Sequence, residues 1–229
     1  MLDEVLAQVD SSVLQVHAVD DPTQGLFDPQ RAEPWARAYA ARSQTPFYLA
    51  LPAYGVALVD NVYGLPQVES EAPLRLRGER RELRADPRQV AGLLENLRSR
   101  TPNNLRGILW FRLPLPSDQR AWPLQTLLAV VHGERLHTAP SVRLRAANGV
   151  NEILVLNHGN LPLNLPLQVN LPAANCEAVD AVGGYRWQRT PDGFRFTPKQ
   201  PGILPPGEER AVGWVRCQTL HQGRLNAVF

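Results

Sequence analysis

The sequence predicts an α/β domain followed by an all-β domain: a partial (β/α) TIM-barrel-like half over residues 1–137, then an immunoglobulin-like or fibronectin-like β-sandwich over 138–229. Three observations carry this. The first 135 or so residues alternate strand and helix periods, whereas the rest holds short alternating strands only. The alternating block offers about three strong units, where a closed eight-unit barrel takes ~250 residues. With 229 residues, 44% apolar and 20% charged, the chain has room for two ordinary globular domains.

Residues 13–19, VLQVHAV, form the β-branched run of a covered parallel strand. Asp28 then offers an N-cap and Pro29 a first helical residue, and Ala32, Trp35, Ala36, Tyr39 and Ala40 recur as one packing face up to Arg42. Residues 47–53, FYLALPA, give a second strand closed by Tyr54 and Gly55. From about Val56 to Arg81 a polar stretch with Gly64, Pro66, Pro73 and Gly78 reads as a long loop carrying Glu69 and Glu71. Asp86 and Pro87 open the best helix, with Val90, Leu93, Leu94 and Leu97 at i, i+3, i+4 and i+7. Residues 107–113, GILWFRL, are the third strand, and Pro123 starts a shorter helix with Leu124, Leu127, Leu128 and Val131 inward, ending at Gly133.

From HTAPS at 137–141 onward the texture changes to VRLRA, EILVLN, LPLQVNL and AVGWVRC, a sandwich pattern. Its clearest element is a hairpin setting Tyr185 and Trp187 against Phe194 and Phe196 across Thr190-Pro191-Asp192-Gly193, with these aromatics building core. Cys176 and Cys217 both fall in strand-like stretches, which leaves a sandwich disulfide or two buried free thiols open, the thiols preferred.

Charge and composition exclude several classes. The net charge is +2 with arginines scattered singly, so nucleic acid is not an expected partner. No apolar run reaches the ~20 residues of a membrane helix, and MLDEVLAQVD lacks a signal-peptide core. No Gly-rich phosphate loop, GxSxG elbow, HExxH helix or metal-spaced cysteine set occurs, so neither cofactor nor metal is expected.

In β/α barrels the reactive side chains project from the carboxyl ends of the strands. That rule selects His17, Asp20 and Asp21 after the first strand, Tyr54, Glu69 and Glu71 after the second, and Trp110, Arg112, Asp118, Arg120 and Trp122 around the third. Carboxylates, aromatic rings and arginines together suit a sugar site, since glycoside hydrolysis uses two carboxyl groups while aromatic faces hold the ring. The narrowed expectation is Glu71 or Asp118 as acid or base with His17 beside them. Gln15, Tyr54 and Arg112 orient, and Trp110 or Trp122 is the sugar platform. Each has a plainer reading: a satisfied core histidine, surface ion pairs at Glu69 and Glu71, a core Trp110 and a capping Asp118.

The stretches SVLQVHAV, GLFDPQRAEPWARAYA, PFYLALPAYG, ELRADP and GILWFRLPLPSDQRAWPLQTLLAV, roughly residues 10–131, resemble a bacterial family catalogued as domain of unknown function 3142. The resemblance implies a β/α barrel distantly similar to glycoside hydrolases with an appended β-domain, and no activity. Against that pattern this chain lacks the preceding barrel half, which leaves apolar edge and lumen to be covered by a longer parent chain, a rearranged sheet or a second copy in a homodimer. The expected function is a carbohydrate-associated, glycoside-hydrolase-like protein of the bacterial cell envelope, periplasmic or extracytoplasmic if a leader precedes it. The alternative is a non-catalytic binding or assembly module.

Overall fold

A computed structural model describes residues 2–17, 25–61, 64–70, 78–115 and 118–229. The chain forms two compact units, Met1–Arg135 and Leu136–Phe229.

The first unit is mixed α/β. After a short helix α1 (Leu2–Leu6), the strands β1 (Ser12–Gln15), β2 (Phe47–Pro52) and β6 (Leu105–Phe111) make a parallel sheet in the order β1-β2-β6. Helices α2 (Pro29–Arg42) and α3 (Pro87–Ser99) lie in the two connections, and α4 (Leu124–His132) follows β6. Both Asp-Pro starts act as read: Asp28 accepts from the Gln30 amide and Asp86 from the Arg88 amide, each 2.9 Å, while proline fills the first position, where no amide is needed. Gly133 ends α4 with φ 70°, the left-handed cap that glycine adopts without strain.

Alternation along the strands divides the sheet into two faces. Phe47, Leu49 and Leu51 of β2 are fully buried, with Ala32, Ala36 and Ala40 of α2 and Val90, Leu93, Leu94 and Leu97 of α3 supplying the helical side of the core. The opposite face carries Val13 and Gln15, which pair with Tyr48 and Ala50, and Leu109 and Phe111, which pair with Ala50 and Pro52. Val13, Leu109 and Phe111 on that face stay exposed.

Two helical faces differ from expectation. Trp35 of α2 is exposed and lies under the Arg31 guanidinium at 4.8 Å, a cation–π contact instead of core. In α4 the buried residues are Thr126, Leu127, Ala129 and Val130, while Leu124 and Leu128 face outward; a helix apolar nearly all round gives periodicity no single face to select.

The expected loop after Gly55 is instead an antiparallel sheet. β3 (Gly55–Asn61) is central between β4 (Gly64–Glu69) and β5 (Arg80–Arg84). Val56, Ala57, Leu58 and Val59 are all buried, an apolar run that the surrounding glycines, prolines and charges disguise.

The second unit is all-β. Its strands are β7 (Pro140–Ala147), β8 (Val150–Asn157), β9 (Leu163–Asn164), β10 (Gln168–Ala181), β11 (Tyr185–Thr190), β12 (Gly193–Pro198), β13 (Ile203–Leu204), β14 (Glu209–Leu220) and β15 (Asn226–Val228). Hydrogen bonding runs β11-β12-β10-β14-β8-β7, with β15 also on β10 and a separate pair β13-β9. The long β10 joins two halves: residues up to Pro172 pair with β12, and those from Ala173 pair with β14. Ile153 and Val155 from one half and Val169, Phe194 and Phe196 from the other share one core. The Tyr185–Pro198 hairpin forms around Pro191-Asp192, with Tyr185, Phe194 and Phe196 buried; Trp187, on edge strand β11, is partly exposed and sets its ring edge-on to Phe194. Cys176 and Cys217 are directly opposed on β10 and β14 and are disulfide-bonded, which corrects the preference for free thiols.

Candidate functional site

The carboxyl ends of the three parallel strands bring together His17, Tyr54, Phe111, Arg112 and Asp118. β1 ends at Gln15, whose side-chain amide donates to the His17 carbonyl at 2.6 Å, and His17 makes an antiparallel bridge to Phe27. That turn carries the imidazole to Tyr54, just past β2, whose hydroxyl lies 3.4 Å from His17 Nδ1. Phe111, the last residue of β6, completes an aromatic trio, its ring 5.4 Å from His17 and 5.2 Å from Tyr54. The Phe111–Arg112 peptide is cis.

Burial sets the electrostatics here. His17 is 3% exposed, and desolvation pushes its pKa down from 6.5 to about 4, so the ring is neutral at pH 7. Its Nε2 has no hydrogen-bond partner among the described residues. Burial likewise raises the Tyr54 phenol, opposed by the nearby Arg112 charge. Arg112 is ion-paired with Asp118. The Leu115 amide donates to Asp118 at 3.0 Å and, with Arg112, holds that carboxyl below the usual range. Asp118 is therefore a carboxylate at neutral pH, suited to orienting Arg112 and accepting hydrogen bonds, and unsuited to donating a proton.

The other candidates lie elsewhere. Trp122 is 5% exposed and donates its indole N–H to the Ala85 carbonyl at 2.8 Å, which ties the chain after β6 to the start of α3 and leaves no open ring face. Trp110 points to the helical side, 6.2 Å from Trp122, and lines an apolar cleft of about 250 Å³ with Leu94, Leu97, Ile108 and Val131. Glu69 is 1% exposed and bonded to Arg120 at 2.6 Å, with Arg80 at 3.5 Å; Arg120 also reaches Glu82 at 3.0 Å. At Glu69 a buried pair with Arg120, flanked by the exposed Arg80 and Glu82 of β5, thus replaces the surface pair expected there. Glu71, Asp20 and Asp21 lie outside the described residues. Phe111 was missed because GILWFRL offers Trp110 and Phe111 on opposite faces; its parity with Leu109 and its place before Arg112 are the signals that select it.

Among the described residues no group of three or more His, Cys, Asp or Glu residues is arranged to hold a metal ion, and no helix is long and apolar enough to cross a membrane. The model of the family described as Domain of unknown function (DUF3142) matches residues 1–116, and that of a second domain of unknown function (DUF8456) matches residues 141–218. No curated protein matches the chain. Among solved structures it is similar to the chitinase ChiA74 from Bacillus thuringiensis, at 10% identity and a TM-score of 0.34, covering 99% of this chain and 63% of that one. It is also similar to a family GH18 chitinase from Chromobacterium violaceum, at 9% identity and a TM-score of 0.26, covering 86% and 49%. The chain spans less than two thirds of either structure's length.

Proposed function

We propose that this chain, which belongs to the family described as Domain of unknown function (DUF3142), binds carbohydrate at the carboxyl ends of its parallel strands. The observation that carries this reading is Phe111, 49% exposed, braced edge-on by Tyr54 and followed directly by the Arg112–Asp118 pair. An open aromatic face accepts the C–H side of a sugar ring, and an adjacent guanidinium and carboxylate donate to and accept from its hydroxyls. Parallel strands in sequential order with helices on one face are what three successive units of a β/α barrel supply, and strand carboxyl ends are where such barrels bind. A hydrolytic step needs a proton-donating carboxyl group, and Glu71 is the sequence candidate for it. The Cys176–Cys217 bond supports an oxidising, extracytoplasmic setting.

The test is titration of soluble polysaccharide fragments by calorimetry against the native chain and Phe111→Ala. Loss of an aromatic platform is worth about 1–2 kcal/mol, so affinity is expected to fall roughly tenfold; equal affinity of the two would remove Phe111 and the site with it.

A second reading, assembly with a second copy, is favoured by the exposed row Val13, Leu109 and Phe111 on the sheet face away from the helices. That row and its neighbours Gln15, Tyr48 and Ala50 carry no charge, so a two-fold contact sets no like charges together.

A further inference from the structure

The all-β unit holds a cleft of about 340 Å³ whose lining, among the described residues, includes Tyr185, Lys199, Gln200 and Arg210 and no carboxylate. Local geometry builds it. β10 turns into β11 through Gly183 (φ 62°) and Gly184 (φ 85°), closed by the Tyr185 amide donating to the Val182 carbonyl at 3.1 Å. Both positive φ values are conformations that glycine adopts without strain. A Cβ on Gly183 would come within 2.3 Å of the Ala211 carbonyl, so the turn sits hard against β14 beside Arg210. The Lys199 amide donates to the Gly184 carbonyl at 2.9 Å and draws the Lys199–Gly202 segment in as the other wall.

Tyr185 is the informative member. It is 2% exposed, yet among the described residues its hydroxyl has no hydrogen-bond partner, an arrangement that ordinarily costs stability and is rare in a native core. The phenol is protonated at neutral pH, burial pushing its pKa up to about 12 against the opposing charge of Arg210. Neither the Lys199 nor the Arg210 side chain is in an ion pair among the described residues.

We propose that this cleft binds a small polar molecule bearing an oxyanion, a carboxylate, sulfate or phosphate, which accepts the Tyr185 O–H and is neutralised by Arg210 and Lys199. Its volume lies at the lower end of the ~300–1,000 Å³ of small-molecule sites, larger than a bare oxyanion needs and lined by Gln200 and backbone for a polar body. The site is independent of the strand-end site and does not rest on the carbohydrate reading.

The full chain is titrated with glucuronate, glucose 6-phosphate, inorganic sulfate and, as the neutral control, glucose, with two-dimensional NMR reporting Tyr185, Lys199 and Gly202. An anionic ligand is expected to shift those signals and to bind at least tenfold more tightly than glucose, with affinity falling as salt is raised. The sugar acid and the sugar phosphate compete for one site, and their ranking tells which oxyanion it prefers; sulfate binding weakly at the same signals supports recognition of the charge. Tyr185→Phe keeps the ring, so the melting temperature without ligand is expected to stay or rise while affinity drops about tenfold. Arg210→Gln is expected to lower affinity similarly. The proposal is overturned if no anion moves these signals, if glucose binds as well as glucuronate, or if Tyr185→Phe melts lower and binds unchanged, which would mean that the hydroxyl serves the fold.

Discussion

His17 ties the pH response to the fold. Its imidazole is neutral and buried with a pKa of about 4, against 6.5 when freely solvated, so the unfolded chain binds the proton more readily. Stability contributed by the neutral ring is complete above pH 6.5 and is lost progressively as pH falls through that value towards 4. Melting temperatures of the native chain and His17→Gln, measured from pH 7.5 to 4.5, are expected to converge as pH falls, because the glutamine side chain does not titrate; parallel curves would show that another group dominates. Glu69 is a residue whose role only burial reveals. Removing one partner of a buried ion pair leaves the other charge uncompensated, at a cost of about 3–5 kcal/mol. Glu69→Gln is expected to lower unfolding stability by about 3 kcal/mol in urea, since Arg120 keeps Glu82; a change under 1 kcal/mol would contradict the network.

Elements differ in how far local chemistry specified them. α2 and α3 begin where an Asp-Pro step places a capping carboxylate before a residue without an amide, and their buried positions repeat every three to four residues. β3 to β5 escaped notice because a buried run, VALV, sits among residues that ordinarily signal loops. β10 spans two pairing partners, and no periodicity along one strand announces a change of neighbour. The cysteines sit where β10 and β14 oppose each other, so their bond closes a sequence separation of 41, for which chain entropy predicts about 4 kcal/mol. Reduction with dithiothreitol is expected to lower the denaturation midpoint of the all-β unit, and an unchanged midpoint would argue that the strand pairing already restrains the unfolded chain.

For the molecule as a whole, the open sheet face of the first unit is the feature with the largest consequence. If a second copy covers it, light scattering gives twice the chain mass of 25.5 kDa at micromolar concentration, and Leu109→Arg returns the monomer by placing a charge in the contact. A native monomer unaffected by Leu109→Arg would end that reading and leave the face to a ligand or another chain.

By itself the sequence determined the change from mixed α/β to all-β texture, the starts and ends of the main helices, the apolar parallel strands and the family, because these rest on residue periodicity, caps and turns, which act over a few positions. Only the tertiary structure decided that Phe111 and not Trp110 opens at the strand ends, that Trp122 is sealed by Ala85, that Glu69 is paired with Arg120 inside the fold, that the cysteines are joined, and that Tyr185, beside a cleft lined by Lys199 and Arg210, has a buried hydroxyl without a partner among the described residues. Each of those is a fact about burial and the partner across a gap, and residues distant in the chain meet only when the whole fold has closed.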